Sequence, residues 1–485
     1  MITHDPYIEQ LNRSLLNNGL ISSGDIILLG LSGGPDSVFL FHLLFRMQTD
    51  IHLNINVVHI NHMLRGAESG LDEQFVLALC EEHNVPCTII QEDIQSIASK
   101  NKVSIEMAAR SVRYEVFAQA ARQTGSTMIM TAHTADDRIE TALMRLINGT
   151  SLKGLTGLRT VSELNNLKLV RPLLPCWKKD ILSCLERNSI PYRIDSSNTS
   201  HDYLRNRIRH NLIPLLNESY NSSFNDTFIH TLDLMQKQSE CMTDHTQKAY
   251  NDCLLSERAY MIFFDRAKLM ELNDAVLGDI LHQALFNISD TPLRPAYSHT
   301  MDAVRAIRQN ECKVIEFPAG MRVVSDRLLT AVLHSSTLNR FFNPGGFETI
   351  IDTPAPFTFS PFCTITISGP DNPHDTASIL NNDFWKSFFI SGKTTITSLV
   401  RVPEDSNLRA RNRNAGDRIQ LSFGTKKLKD LFIDSRIPVL LRNIIPVLTT
   451  GDEIVWAVGI TDKNLNQRFN KTFIVKFELT LQAVF

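Results

Sequence analysis

The chain has 485 residues, of which 43% are hydrophobic and 21% are charged, and its formal net charge is −3. These fractions are typical of a soluble protein, and the length predicts roughly two to four domains. No apolar run is long enough to span a bilayer, and the first residues lack the apolar core of a signal peptide. The eight cysteines form no CxxC pair and no zinc-ligand spacing, so we expect a cytoplasmic protein with reduced thiols.

The first part of the chain alternates between strand-like and helix-like segments. Strands are predicted at 26–31, 55–60, 87–90 and 128–132, and helices at 38–47, 71–83, 105–123 and 135–147. This alternation predicts a doubly wound parallel sheet that binds ligands at the carboxyl ends of its strands. The polar segments that follow Leu31, Ile60 and Ala132 should therefore meet in one cleft.

The pattern changes after about residue 215. A mostly helical stretch is expected to about residue 285, then a helix at 298–308, a hairpin within 313–333, and a mainly β region from about Thr394 with one helix near 426–434. We therefore divide the chain into an α/β domain at 1–215, a mainly helical domain at 216–340, a linker with strands at 341–393 and a small β-rich domain at 394–485.

The first chemical motif is a glycine-rich turn between the first strand and the first helix. It consists of Ser32, Gly33, Gly34, Pro35, Asp36 and Ser37. Backbone amides in such a turn, together with a helix N-terminus, bind anions such as phosphate. The turn lacks the lysine of a Walker A loop. A carboxylate beside a phosphate site indicates a divalent metal that neutralises both, so Asp36 is the predicted Mg²⁺ ligand. The alternative is a tight turn with a serine cap.

Two further polar segments follow predicted strands. His59 and His62 have no third metal ligand near in sequence, so a polar active-site loop is favoured there. His133 lies just past a strand, and Asp136 and Asp137 fall in the first turn of the next helix. Acids at that position also interact favourably with the helix dipole. Two of them beside a histidine predict that one holds Mg²⁺ or orients an amine, and that His133 contacts phosphate or transfers a proton.

Basic side chains suited to phosphate occur at three places. Arg110 and Arg113 are three apart on one predicted helix, where surface and phosphate-binding roles are equally consistent. The segment 401–442 has ten Lys or Arg against five Asp or Glu. The basic residues that we expect to contact nucleic acid are Arg205, Arg207, Arg209, Lys426, Lys427 and Lys429. A solvated surface is the alternative for each basic run.

The motifs occur together in an order that resembles one enzyme family. SGGPDS, HINHMLRG, AHTADDRIETALMRLINGT, RPLL at 171–174, DSSN at 195–198 and YLRNRIR at 203–209 are similar to those of the tRNA(Ile)-lysidine synthetases, within the PP-loop ATP pyrophosphatase superfamily. The C-terminal RNRNAGDRI and KKLKDLFIDSRIP segments also resemble that family. The chain departs from the family pattern at Arg138 and Ile139, where Gln and Ala are common, and at Met63, where Gly is usual.

The resemblance implies an activity for each part of the chain. It implies an adenine-nucleotide alpha-hydrolase-like domain that uses ATP and Mg²⁺ to adenylate the wobble cytidine of a CAU-anticodon isoleucine tRNA. Free L-lysine then displaces AMP to give lysidine. Arg113 and His133 would offset phosphate charge, Asp136 or Asp137 would deprotonate the lysine, and Arg205 would also act in catalysis. The middle and C-terminal domains would bind the tRNA, and a homodimer is a further expectation.

Three other functions are compatible with parts of the sequence. A PP-loop enzyme that makes 2-thiocytidine would need paired cysteines or an iron–sulfur cluster, and no CxxC is present. An ATP-dependent ligase for a small metabolite would not need the basic C-terminal region. A non-catalytic nucleotide-binding module would not need Asp36, Asp136 and Asp137 together.

Overall fold

The computed structural model describes residues 5–64, 66–194, 204–289, 295–337, 347–351, 357–360, 363–368, 380–402, 407–422, 424–458 and 471–481. The chain forms two compact units, Met1–Glu240 and Cys241–Phe485. The finer division at 215, 340 and 393 stays a prediction.

The first unit contains one sheet flanked by helices. Its strands are β1 (Ile26–Gly30), β2 (Asn54–Asn61), β3 (Cys87–Gln91), β4 (Met128–Met130), β5 (Val161–Leu164) and β6 (Leu167–Val170). Its helices are α1 (Pro6–Asn17), α2 (Pro35–Ile51), α3 (Ala67–Glu82), α4 (Ile94–Asn101), α5 (Ile105–Thr124), α6 (Ala135–Asn148), α7 (Leu152–Leu155), α8 (Lys178–Arg187), α9 (Leu204–Arg207) and α10 (Ile213–Ser219), with a π-helical turn at Ile208–Leu212. Helix α11 (Phe224–Cys253) begins in this unit.

The sheet confirms the predicted doubly wound topology. Its strand order is β3-β2-β1-β4-β6-β5. All neighbours are parallel except β5, which runs antiparallel to β6. The chain moves outward from β1 to β3 and then returns to the other side of β1 at β4. The switch point therefore lies between β1 and β4, and ligands bind outside the carboxyl ends of strands at such a point.

Both faces of the sheet are covered, which explains why its central strands β1 (IILLG) and β4 (MIM) carry no polar side chain. In β1, Ile27 and Leu29 pack in the cluster that includes side chains of α1, α2, α3 and α8, whereas Leu28 packs in the cluster of α4 and α5. Gly30 leaves room for the α5 ring of Phe117, because a Cβ atom at Gly30 would lie 2.6 Å from Phe117 Cζ. The close packing of α5 on β1 fixes the direction in which the chain leaves the sheet toward the glycine-rich turn.

In its described residues, the second unit combines helices with three sheets. One sheet has the order β7-β8-β11-β10-β9, from β7 (Leu254–Arg258), β8 (Met261–Asp265), β9 (Lys313–Glu316), β10 (Met321–Ser325) and β11 (Leu329–His334). Another has six strands, β12 (Glu348–Ile350), β16 (Leu408–Arg411), β17 (Arg418–Leu421), β18 (Gly424–Lys427), β19 (Val447–Thr450) and β20 (Glu453–Ala457). The last has four, β13 (Phe357–Ser360), β14 (Cys363–Ser368), β15 (Lys393–Val402) and β21 (Lys471–Thr480). The helices are α12 (Arg266–Glu271), α13 (Asp274–Asn287), α14 (Tyr297–Arg308), α15 (Ser335–Thr337), α16 (Asn382–Ser391) and α17 (Leu428–Asp434).

The middle region carries the predicted helices and, in addition, strands that the sequence did not reveal. Helices α13 and α14 pack with the five-stranded sheet in one apolar core. The predicted hairpin is confirmed, because β9 and β10 pair antiparallel around the turn Pro318–Gly320. Strand β8 was missed because MIFFD is buried at every position, and a short, continuous apolar run does not distinguish a strand from a buried helix. In the part of the chain that is described, no helix has the length and apolar character required to cross a membrane.

Candidate active site

The glycine-rich turn is closed by hydrogen bonds between its own residues. The Ser37 hydroxyl donates to the Gly34 carbonyl at 2.9 Å and accepts from the Ser32 amide at 3.2 Å. The two serine hydroxyls are 3.0 Å apart. Gly34 is the extended N-cap residue of α2, and Pro35 occupies the first turn of that helix. The turn therefore presents the N-terminus of α2 at the switch point of the sheet.

Gly33 anchors this turn to its surroundings. Its φ of +84° lies in the left-handed region that a side chain disfavours. The Gly33 carbonyl accepts a hydrogen bond from the Arg193 amide at 2.9 Å. The Arg193 side chain in turn donates from Nε to the carboxylate of Asp72 on α3 at 2.9 Å. The segment after α8 and helix α3 therefore hold the turn from outside.

The two carboxylate oxygens of Asp36 have different surroundings. One of its oxygens, Oδ2, lies 3.4 Å from Lys178 Nζ. The other, Oδ1, is buried and has no hydrogen-bond partner among the described residues. Burial raises the pKa of Asp36 to about 6; Lys178 acts in the opposite direction, and Asp137 and Asp136 raise it further.

The donor set around Asp36 fits Mg²⁺ shared with phosphate. No group of three or more His, Cys, Asp or Glu side chains in the described ranges could hold a metal ion by itself. Mg²⁺ is normally held by one or two carboxylates together with substrate phosphates and water. An unpartnered carboxylate oxygen in the first turn of α2 supplies such a ligand. The predicted polar loop at His59 and His62 stays a prediction, and His59 Nδ1 lies 2.8 Å from the Leu31 carbonyl.

Asp137 is held at the start of α6. Thr134 is the N-cap residue, and its amide donates to Asp137 Oδ2 at 2.8 Å in a reciprocal capping box. The other oxygen, Oδ1, accepts from Arg205 Nη2 at 2.6 Å. Burial acts to raise the pKa of Asp137, but Arg205, His133 and the Thr134 amide lower it below its usual value. Both oxygens of Asp137 are thus occupied by protein donors.

Asp136 faces α8 instead. Its Oδ2 accepts from the Lys178 backbone amide at 2.8 Å, and the Ala135 amide donates to the Cys176 carbonyl at 2.9 Å. These two bonds join the first turns of α6 and α8. Burial raises the pKa of Asp136, and the Lys178 amide lowers it in part. Lys178 therefore contacts Asp136 through its backbone and Asp36 through its side chain.

A further acid, Glu140, was missed in the sequence. Glu140 is 1% exposed and accepts from Arg205 Nε at 2.7 Å and from Arg209 Nε and Nη2 at 2.5 and 2.9 Å. Glu140 comes three residues after Asp137, so it lies on the same face of α6. This spacing could have identified Glu140 from the sequence. We call Asp137, Glu140, Arg205 and Arg209 the paired cluster. Lys178 was also missed, and nothing near it in sequence indicated a place at the site.

His133 and Arg113 are the two residues that were predicted to contact the phosphates. His133 Nδ1 is 3.0 Å from the Thr131 hydroxyl. Burial lowers the pKa of His133 to about 4; Asp137 opposes this, and Arg171, Arg205 and Arg113 reinforce it. The imidazole is therefore neutral near pH 7. Arg113 on α5 is half-buried.

The other predicted basic residues have different surroundings. Arg207 ends α9, and Arg209 is directed to Glu140. In the second unit Lys426 pairs with Asp434, while Lys427 and Lys429 are exposed. The DSSN motif falls outside the described residues.

The two departures from the family pattern have structural counterparts. Arg138 is buried and donates from Nη1 to Asp233 Oδ1 at 2.5 Å and from Nη2 to Gln236 Oε1 at 3.2 Å, so it joins α6 to α11. Ile139 is fully buried beside Ile208. Met63 has a φ of +53°, a left-handed conformation that explains why glycine is usual there.

The strand, the closed turn with its carboxylate and the helix N-terminus at the switch point define a PP-loop nucleotide-binding domain. A PP-loop domain model matches residues 6–216, and a model of the TilS substrate C-terminal domain matches residues 408–472. A tRNA(Ile)-lysidine synthase of Clostridium perfringens is 29% identical over 462 residues, which is 94% of each chain. One from Caldanaerobacter subterraneus is 26% identical over 481 residues, or 97% of each. The chain belongs to the tRNA(Ile)-lysidine synthase family.

Among solved structures, the U34-tRNA thiolase NcsA from Methanococcus maripaludis aligns with 47% of this chain and 78% of its own, at 17% identity and a TM-score of 0.41.

Proposed function

We propose that this protein forms lysidine: it uses ATP to ligate L-lysine to C2 of the wobble cytidine of the CAU-anticodon isoleucine tRNA, releasing AMP and pyrophosphate. The observation that carries this proposal is the carboxylate of Asp36 in the PP-loop, which has one oxygen without a described partner and interacts electrostatically with Asp136 and Asp137 at the start of α6. An ATP site alone needs no such acidic surroundings. A reaction that later accepts a cationic amine does.

In the first step the C2 carbonyl oxygen of cytidine attacks the α-phosphorus of ATP. The bond to the β-phosphate oxygen breaks, and its electron pair leaves with pyrophosphate. The backbone amides of 32–37 would hold the β- and γ-phosphates. Arg113 would offset charge on the reacting phosphate, and His133, which is neutral near pH 7, would donate a hydrogen bond to it. Mg²⁺ held by Asp36 would neutralise the phosphates when bound.

In the second step the ε-amine of lysine attacks C2 of the adenylated cytidine, and AMP leaves with the electron pair of the C2–O bond. The ordinary pKa of a lysine amine is near 10.4, so the amine must lose a proton to become a nucleophile. Both oxygens of Asp137 are taken by the helix cap and Arg205. Asp136 uses one oxygen for a backbone amide, and burial raises its pKa. We therefore assign the base to Asp136, and the positioning of α9 on α6 to Arg205.

The tRNA needs contacts outside the reaction centre. Exposed Lys427 and Lys429 at the start of α17 support phosphate contacts by the second unit. The wobble base must leave the anticodon stack, which costs less in a loop than in a duplex. A cytoplasmic location agrees with the free cysteines, because no disulfide joins the described ones.

The proposal is tested with the full chain, ATP, Mg²⁺, radiolabelled lysine and the isoleucine tRNA. We expect lysine to enter the tRNA with one AMP released per lysine. The matched control is the same tRNA with uridine at the wobble position, which should take up no lysine. If the folded protein releases pyrophosphate without incorporating lysine, or makes 2-thiocytidine when given a sulfur donor, the proposal is wrong.

A further inference from the structure

The PP-loop has no lysine of its own, but the fold brings one to it. Lys178 is 142 positions after Asp36 in the printed numbering, yet its Nζ lies 3.4 Å from Asp36 Oδ2. The Lys178 side chain is 34% exposed, so it can reach the cleft in front of the turn. In Walker A loops the phosphate-binding lysine is a point charge on a flexible stem. Lys178 supplies the same chemical group from a different element.

The backbone of Lys178 is fixed by a hydrogen bond, whereas its side chain forms a partly exposed ion pair with Asp36. Its amide donates to Asp136 Oδ2 at 2.8 Å, and the adjoining Cys176 carbonyl accepts from Ala135 at 2.9 Å. The Cα of Lys178 is therefore held at the site by α6. Because the ion pair to Asp36 is partly exposed, it contributes little to stability, and the ammonium can exchange partners at small cost.

Helix stability does not explain a lysine at this position. Lys178 is the first residue of α8, where the helix dipole favours acids and disfavours cations. The N-cap residue Trp177 makes no side-chain cap. A cation at the N-terminus of a helix, pointed at the carboxylate of a phosphate-binding turn, is what a site for a polyanion requires.

We propose that Lys178 is a phosphate-binding residue of the adenylation step. With no nucleotide, its ammonium pairs with Asp36. When ATP binds, the ammonium transfers to the β- and γ-phosphates, which leaves Asp36 for the cation. During attack on the α-phosphorus it offsets the charge that develops on the departing pyrophosphate. This inference rests on the proposed function, because it assumes that the chain cleaves ATP between the α- and β-phosphates.

The test compares Lys178→Gln with Lys179→Gln, the neighbouring exposed lysine in the same turn of α8. Each full-length variant is titrated calorimetrically with an ATP analogue that carries a methylene bridge between the α- and β-phosphates, and separately with adenosine. We expect Lys178→Gln to bind the analogue about 10-fold more weakly and adenosine unchanged. Pyrophosphate release with tRNA should fall about 100-fold. Lys178→Arg should recover most of the affinity, and Lys179→Gln should match the parent.

Two results for Lys178→Gln overturn the inference. One is wild-type affinity for the analogue in Lys178→Gln; the other is an equal loss of adenosine affinity, which would make Lys178 a purely structural residue. Lys178→Met gives a second neutral variant if the Gln variant fails to fold. If the analogue result is as expected but the parent incorporates no lysine, the proposed function fails and the role of Lys178 stands. If the parent does not bind the analogue, both fail.

Discussion

Two groups of carboxylates lie at the carboxyl edge of the parallel sheet, and the fold treats them differently. In the paired cluster, Asp137 and Glu140 receive charged hydrogen bonds from Arg205 and Arg209, with distances from 2.5 to 2.9 Å. Around the PP-loop, Asp36 has one ammonium at 3.4 Å and one buried oxygen without a described partner. Buried polar atoms are nearly always satisfied in native proteins. Several other buried side-chain atoms also have no described partner, but Asp36 Oδ1 is the one in the phosphate-binding turn, where a bound cation would satisfy it.

The two groups of carboxylates have different roles: the paired cluster stabilises the fold, and the PP-loop carboxylate serves the site. The paired cluster attaches α9 and the π-helical turn to α6, and it needs nothing from outside. Without a bound cation, the charged PP-loop carboxylate lowers the free energy of unfolding, because burial without a matched partner disfavours its charged form. Active sites commonly contain such unsatisfied groups at the expense of stability.

Asp36→Asn should produce the largest effect. We expect it to lower activity without lowering the free energy of unfolding. We expect pyrophosphate release to fall about 1,000-fold, because the cation loses its protein ligand. The free energy of unfolding should not fall, since only a partly exposed ion pair is lost. tRNA-dependent pyrophosphate release and urea denaturation measure the two effects, with Asp50→Asn at the exposed end of α2 as the control. A clear loss of stability would place Asp36 with the paired cluster and remove the contrast.

Glu140→Gln should have the opposite profile, with a loss of stability. Arg205 and Arg209, which are half-buried at α6, would lose the buried charge that compensates them. Breaking a fully buried pair typically costs about 3 kcal/mol, and the partial exposure of the arginines reduces that cost. Urea denaturation of the variant and of Glu186→Gln, an exposed residue of α8, gives the comparison. If Glu140→Gln were as stable as the parent, the paired cluster would not be what holds α9 to α6.

The sequence predicted one half of this contrast better than the other. Strands β1 to β4, the turn at 32–37 and the acidic first turn of α6 were readable because each depends on residues that are neighbours in the sequence. Lys178 and Arg209 were not readable as partners of Asp36 and Glu140. Those contacts depend on how α8, α9 and the π-helical turn pack against the sheet, and local spacing contains no record of that packing.

Met63 was flagged in the sequence for a different reason, its departure from a family pattern, and the structure supplies the physical cause. Met63 follows β2, the strand beside β1, and has a φ of +53° with its amide donating to Asn61 Oδ1 at 3.0 Å. Its side chain is 56% exposed, so little packing offsets the backbone cost. The turn itself does not need the methionine side chain.

Met63→Gly should therefore have the smallest effect, a gain of about 0.5 kcal/mol in the free energy of unfolding. Relief of the left-handed conformation favours the variant, and the greater freedom of glycine in the unfolded chain offsets part of that gain. Leu64→Gly is the matched control: its φ is not positive and its side chain is 43% exposed, so it should lose stability. Thermal melts of the two variants measured side by side show whether their changes in stability have opposite signs. If both variants lost stability, the methionine side chain rather than the backbone would decide this position.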